Sequence, residues 1–329
     1  MKRRRFLRLL GEGIGAASLE IVEPWELAGV LEPFGGTEAE RIENLATHFA
    51  RAYPSTPPLA LAGPVQEQLR NVVRLLDGPQ SVTGRRRLCM ALARLAGLAG
   101  SLSLDLDDAS RIDGYFDMAL QAALESEHHE LTSWLLAIRS LIPANRGEHQ
   151  RALQLVEGAE VFAAKATTPT RRAWLAALRA KAAAGVGDVR AFEDGMRDAE
   201  RALEQARPDD GAAGVDFFDP PRLDAFKGTA LVLLHRPEAA QPALAQALAR
   251  RDPSNVKGLS LARLDLAISY AQQTEVEEAC RLGSEAMAIS PRYQVGPVVT
   301  KFQDLRRDLE PWSSTRFVRA LDEQLANGA

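Results

Sequence analysis

The stretch Asn145 to Ala159, NRGEHQRALQLVEGA, decides the fold, because its pattern recurs four more times at intervals of about 40 residues. With Ala152 as anchor, the equivalent positions are Ile112, Phe192, Ala240 and Ala279. Seven residues after the anchor an alanine stands every time: Ala119, Ala159, Ala199, Ala247 and Ala286. Four after it come Phe116, Val156, Met196, Leu244 and Gly283, mostly bulky and apolar, and offsets of four and seven share one helical face. Twelve before the anchor the residue is always small (Gly100, Ser140, Ala180, Gly228, Ala267), as a close crossing of two helices requires. Four before it stand Asp108, Glu148, Asp188, Arg236 and Glu275, where a new helix should begin. A carboxylate at that point can cap free N–H groups and meets the positive end of the helix dipole. Each unit is therefore a helical hairpin, and the quoted stretch is its loop and second helix.

These offsets resemble a lengthened tetratricopeptide pattern, although the usual Trp, Tyr and Pro positions of that pattern are mostly not kept. The expected fold is all-α: a tetratricopeptide-like α-solenoid, a right-handed superhelix of helical hairpins. The chain divides into a basic N-terminal tail or linker (1–36), an N-terminal capping helix pair (37–83), five hairpin repeats (84–290) and C-terminal capping helices (291–329). In the capping pair, Thr37 and Glu40 form a capping box for a helix to Tyr53. The prolines of Tyr53-Pro54-Ser55-Thr56-Pro57-Pro58 end that helix, and a second runs from Leu59 to Leu76. The one long interval between anchors has a visible cause, the Pro-, Gly- and Asp-rich loop Arg207 to Pro221. It carries Phe217 and Phe218, which either plug the neighbouring hairpin or close over a groove. A helix from Pro297 to Leu309 and a last one from Ser313 to Leu325 close the chain.

The composition agrees with closely packed helices: of 329 residues 46% are hydrophobic and only 6% aromatic. With 40 basic and 44 acidic residues the net charge is −4, which gives no electrostatic reason for direct nucleic-acid binding. Cys89 and Cys280 lie far apart in helical segments and read as buried thiols. No membrane span is expected. The segment Arg3-Arg4-Arg5-Phe6-Leu7-Arg8 resembles a twin-arginine export signal, and Ala16-Ala17-Ser18 would suit cleavage. Glu12 and Glu20 interrupt what should be an uncharged apolar region, so a cytoplasmic location is expected and twin-arginine export is the alternative.

Several segments together resemble a known family. They are Tyr53 to Pro58, Arg171-Arg172-Ala173-Trp174-Leu175-Ala176, Phe217-Phe218-Asp219, Glu275 to Ile289 (EVEEACRLGSEAMAI) and Asp308 to Trp312 (DLEPW). They are similar to the C-terminal helical repeat module of actinobacterial regulators that carry an Xre-type helix-turn-helix domain in front. The similarity runs from about Thr37 to Leu325 and implies a regulator acting through a partner or ligand. Such a DNA-reading domain needs about 60 residues, whereas residues 1–36 alone precede Thr37. DNA binding is therefore not expected of this chain, and a C-terminal half of a regulator whose helix-turn-helix lies upstream is one alternative.

No H-E-x-x-H, G-x-S-x-G or Walker A string is present, so no catalytic residue, cofactor or metal ligand is assigned. Glu127-His128-His129-Glu130 is the densest group of possible ligands, but it lies at a hairpin junction with its histidines pointing apart. A binding groove is the better expectation. Eighteen before the anchor stand Arg94, Trp134, Trp174, Arg222 and Leu261, with Lys181 seven residues, about two turns, beyond Trp174. An aromatic pair between guanidinium groups would suit a peptide or an amphipathic anionic ligand. The competing reading places both tryptophans in the core. The sequence thus points to a non-catalytic sensor or interaction module for a peptide, small-molecule or protein partner, with homodimer formation possible.

Overall fold

The structure, a computed structural model, describes residues 38–165, 167–207, 218–288 and 295–328. Among the described residues it is all-helical, without strands. Two helices, α1 (Glu38–Ala52) and α2 (Pro58–Asp77), come first. Five hairpins follow: α3 (Val82–Asp105) with α4 (Ala109–Glu125), α5 (His129–Asn145) with α6 (His149–Ala163), and α7 (Pro169–Gly185) with α8 (Val189–Glu204). The fourth and fifth are α9 (Pro220–Leu233) with α10 (Pro237–Arg250), and α11 (Val256–Gln272) with α12 (Val276–Met287). After them come α13 (Gly296–Asp308), a 3₁₀ turn at Glu310–Trp312, and α14 (Arg316–Gly328). Thr37, the expected cap of α1, lies outside the described residues. Pro220 and Pro221 are not loop but the first turn of α9, where a missing N–H costs nothing.

The repeat is built on one turn. The residue five before each anchor is left-handed: Asp107 (φ 55°), Gly147 (φ 75°), Gly187 (φ 82°), His235 (φ 53°) and Thr274 (φ 65°). The next residue, the expected helix start, donates its N–H to the carbonyl five residues back. These bonds run from Asp108 to Ser103, Glu148 to Pro143, Asp188 to Ala183, Arg236 to Leu231 and Glu275 to Tyr270, at 2.8–3.0 Å. This is a Schellman ending, and its last residue is at once the N-cap of the following helix. Of these N-caps only Asp188 makes the expected side-chain bond, accepting from Ala191 N at 3.0 Å. The others need none to start a helix, because the turn fixes the entry.

The first helices are the ones capped by side chains, including α5, which itself follows a left-handed residue, Glu127 (φ 54°), with His128 N–H donating to the Ala123 carbonyl at 3.2 Å. Ser81, His128, Thr168, Asp219 and Asn255 each accept a backbone N–H from three residues on. Thr274 is the most strained of the turn residues, since a β-branched side chain crowds its own backbone at positive φ. Thr274→Gly is expected to raise the unfolding free energy by about 1 kcal/mol in urea melts.

Packing follows the expected offsets. The five alanines seven after the anchor are all 0% exposed. The small residue of the first helix receives the bulky residue of the second: a Cβ on Gly228 would lie 2.4 Å from Leu244 Cγ, and one on Gly100 2.7 Å from the Phe116 ring. In the fifth hairpin Gly283 stands where the others carry bulk, and Leu305 of α13 fills the space, 2.8 Å from where a Cβ would be. Cys89 and Cys280 are buried and unpaired. Helix α3 is long and apolar enough to cross a membrane, but 83% of its apolar window is buried inside the protein.

Each first helix packs on its own partner and on the first helix of the next hairpin. Helix α13 continues that row against α11 and also reaches back to α3 and α5, so the row closes on itself. At this closure a Cβ on Gly296 would lie 2.8 Å from the Leu104 carbonyl oxygen. The part assigned to a C-terminal cap thus joins the two ends of the array.

Candidate functional site

The closed row encloses a cavity of about 510 Å³. Its walls come from the end of α3 (Leu104), the C-terminal end of α5 (Leu141, Ala144), α7 (Lys181), α9 (Ala225, Phe226, Thr229, Leu233), α11 (Leu261, Ala262, Asp265) and α13 (Thr300, Lys301). The position eleven before the anchor, occupied by Leu141, Lys181 and Thr229, faces this space in three successive hairpins. A size of several hundred Å³, apolar walls and a few convergent polar groups are the features of a small-ligand site.

Two buried carboxylates organise the polar lining. Asp105, 2% exposed, accepts from Tyr53 Oη at 2.7 Å and pairs with Lys257, whose Nζ also donates to Tyr53 Oη at 3.1 Å. Burial pulls the Lys257 ammonium down, but the carboxylate and the phenol outweigh it and hold it above the ordinary lysine value. Burial, with Asp105 beside it, pushes the Tyr53 phenol well above its ordinary range. Asp265, 3% exposed, accepts from Thr229 Oγ1 at 2.6 Å and from Lys301 Nζ at 2.7 Å. Arg307 pairs with Asp304 at 3.1 Å.

Lys181 differs from these. Among the described residues it has no hydrogen bond or ion pair; its Nζ lies 5.7 Å from the centre of the Phe226 ring. Burial, reinforced by Lys301 and only partly offset by Asp265, pushes its pKa down to about 8. His149, at the start of α6, presses its imidazole against Gly185, where a Cβ would come within 2.1 Å of the ring. Burial first, then Lys181 and Lys301, lower its pKa, so the ring is held neutral. Its Nδ1 is buried without a hydrogen-bond partner. Arg251 also borders the cavity, and its Nε lacks a partner. Burial and then Arg222 lower the Arg251 pKa.

The expected groove residues fall in different places. Lys181 is in the cavity wall. Trp134 is not: it is 3% exposed and packs on α3, where a Cβ on Gly97 would lie 2.9 Å from its Cζ3. That corrects the groove reading, because the rung eighteen before the anchor turns inward to the helix layer and meets the cavity only at Leu261. Trp174 is half-buried where the core clusters meet, with the Arg171 guanidinium 5.5 Å from its ring centre. Arg94 is exposed and away from the cavity lining. Arg222 is lowered in pKa by burial and sits behind the cavity beside Arg251. Phe218 is buried edge-on to Phe226 at 5.7 Å, so it backs the cavity wall rather than covering a groove; Phe217 lies outside the described residues.

His128, from the densest histidine group, is the cap of α5 and accepts from Leu131 N at 3.1 Å. Among the described residues no three His, Cys, Asp or Glu side chains gather closely enough to hold a metal ion. The sequence reading did not single out Asp105, Asp265, Lys257 or Lys301. A signal was present, since Asp105 ends one apolar first helix, at LSLD, and Asp265 interrupts another, LARLDLAISY. No protein-family model, curated protein or solved structure matches the chain.

Proposed function

We propose that this chain is a non-catalytic ligand-binding module: a tetratricopeptide-like, right-handed α-solenoid that serves as a sensor in bacterial signalling or transcription control. The observation that carries the reading is the central cavity, about 510 Å³, bounded by α3, α5, α7, α9, α11 and α13 together. A molecule held there touches hairpins far apart in sequence, so its binding energy stabilises the closed row as a whole. That coupling is what a sensor requires, because a ligand shifts a conformational equilibrium only through contacts that differ between the states. The resemblance to the repeat modules of Xre-type regulators supports a regulatory role.

The lining groups favour holding over chemistry. The Thr229 hydroxyl is committed to Asp265 and to the Ala225 carbonyl, and the lysines Lys257 and Lys301 to buried carboxylates. Leu233→Trp, which fills the cavity from α9, tests the reading. Protein purified from its own cells is expected to carry a small molecule or peptide, seen by native mass spectrometry and absent from the variant, whose helical content by circular dichroism is unchanged. Retention of the same molecule by both proteins overturns the assignment of the cavity.

A further inference from the structure

The cavity has more positive groups than the protein itself neutralises. Lys257 is matched by Asp105, Lys301 by Asp265 and Arg307 by Asp304. Arg146, Lys181 and Arg251 also line the cavity, and among the described residues none of the three forms an ion pair; Arg146 is exposed at its edge, which leaves Lys181 and Arg251 as the ones withdrawn from solvent. The Lys181 ammonium stands against the Phe226 ring, within electrostatic reach of Lys301, which is already neutralised, and of His149, whose Nδ1 has no hydrogen-bond partner. An ammonium has three donors to satisfy, and a half-buried one without a protein acceptor keeps only part of its hydration, which is costly. Native proteins keep such a group where something else supplies the acceptor.

Resting on the cavity reading, we infer that Lys181 anchors the anionic head of a small amphipathic acid, one anionic oxygen group on an apolar body. The head lies on Lys181 Nζ, which donates to it, and the body lies along Phe226, Leu141, Leu233 and Leu261. A single charge is the match because Lys301 is occupied by Asp265. The same head chemistry could come from a free organic acid or from the C-terminal carboxylate of a short apolar peptide.

The test uses the full chain and two fluorescent probes that share one apolar body, 1-anilinonaphthalene-8-sulfonate and its uncharged parent N-phenyl-1-naphthylamine. The wild type is expected to bind the anion at least about ten-fold more tightly, the worth of one charge-assisted hydrogen-bonded contact. Lys181→Met should erase that preference while leaving the neutral probe bound, and Lys181→Arg should keep part of it. Equal binding of the two probes by the wild type, no binding of the anion, or a preference that survives Lys181→Met overturns the anchor. Leu233→Trp separates the two readings. If it abolishes both probes while Lys181→Met changes nothing, the cavity stands and the anchor falls; if both probes still bind to it, the cavity reading itself falls. Displacement of the bound anion by decanoate, or by Val-Leu-Phe as free acid but not as amide, then distinguishes a free acid from a peptide terminus.

Discussion

Replacing Asp105 by alanine is expected to destabilise the protein by about 3–5 kcal/mol, the cost of removing one partner from a buried ion pair. The carboxylate is 2% exposed and serves two donors, the Tyr53 phenol at 2.7 Å and the Lys257 ammonium. Without it the ammonium is left in the interior with the phenol alone, and the phenol loses its acceptor. The three residues come from the turn after α1, the end of α3 and the start of α11, so the loss falls on the contact that closes the row. Urea unfolding of the single variant should show the midpoint moving far, and Asp105→Asn combined with Lys257→Met should recover much of the loss. That recovery separates an uncompensated charge from a mere loss of packing. Lys257 is held above its ordinary value, so its contribution is fully present below the unfolded-state pKa of about 10.4 and is lost only as pH rises beyond it. A loss of this term near neutral pH would contradict the pairing.

The repeat was legible because it is local. The alanine seven after the anchor and the small residue twelve before it act within one hairpin, so their spacing in sequence is their spacing in space. The turn was half legible. Asp108, Glu148 and Glu275 were read as helix starts, which they are, but the force that starts those helices is the left-handed residue before them. Gly147 and Gly187 carry a visible signal for it; Asp107, His235 and Thr274 do not.

The site was least legible for two physical reasons. Lys257 lies 152 residues from Asp105 and 204 from Tyr53, a distance no periodicity spans. The first helices are also buried nearly all round, as the run of buried residues from Leu264 to Ser269 shows, and a helix apolar on every side reveals no face by its pattern. Trp134 and Lys181 were therefore placed on one groove by analogy of offset, although one is in the helix layer and the other in the cavity.

Lys181→Met is expected to stabilise the ligand-free protein at neutral pH by about 3 kcal/mol, the energy equivalent of a pKa held near 8 rather than 10.5. The groups facing the ammonium are Lys301 and Asp265 from α13 and α11, and the His149 ring at the start of α6; burial is the largest influence and Lys301 the next. The sign follows from proton binding. Between about pH 8 and pH 10.5 the unfolded chain keeps the proton that the folded one has released, so folding stability rises with pH through that window. Below it both states are charged and the folded one bears the full penalty. The wild type should therefore gain on the variant as pH rises from 7 to about 10 in paired urea melts, other titrations cancelling in the difference. A gap that stays constant would mean that the ammonium is not held below its ordinary value. On the proposed anchoring, the same penalty gives the cavity its selectivity. An anion that supplies the missing acceptor raises the Lys181 pKa, so at pH 8.5 its binding must take up a proton, visible as a dependence of the binding heat on the ionisation enthalpy of the buffer. A neutral ligand in the same space offers no such relief, so the protein discriminates between the two by a cost that its own folded state already carries.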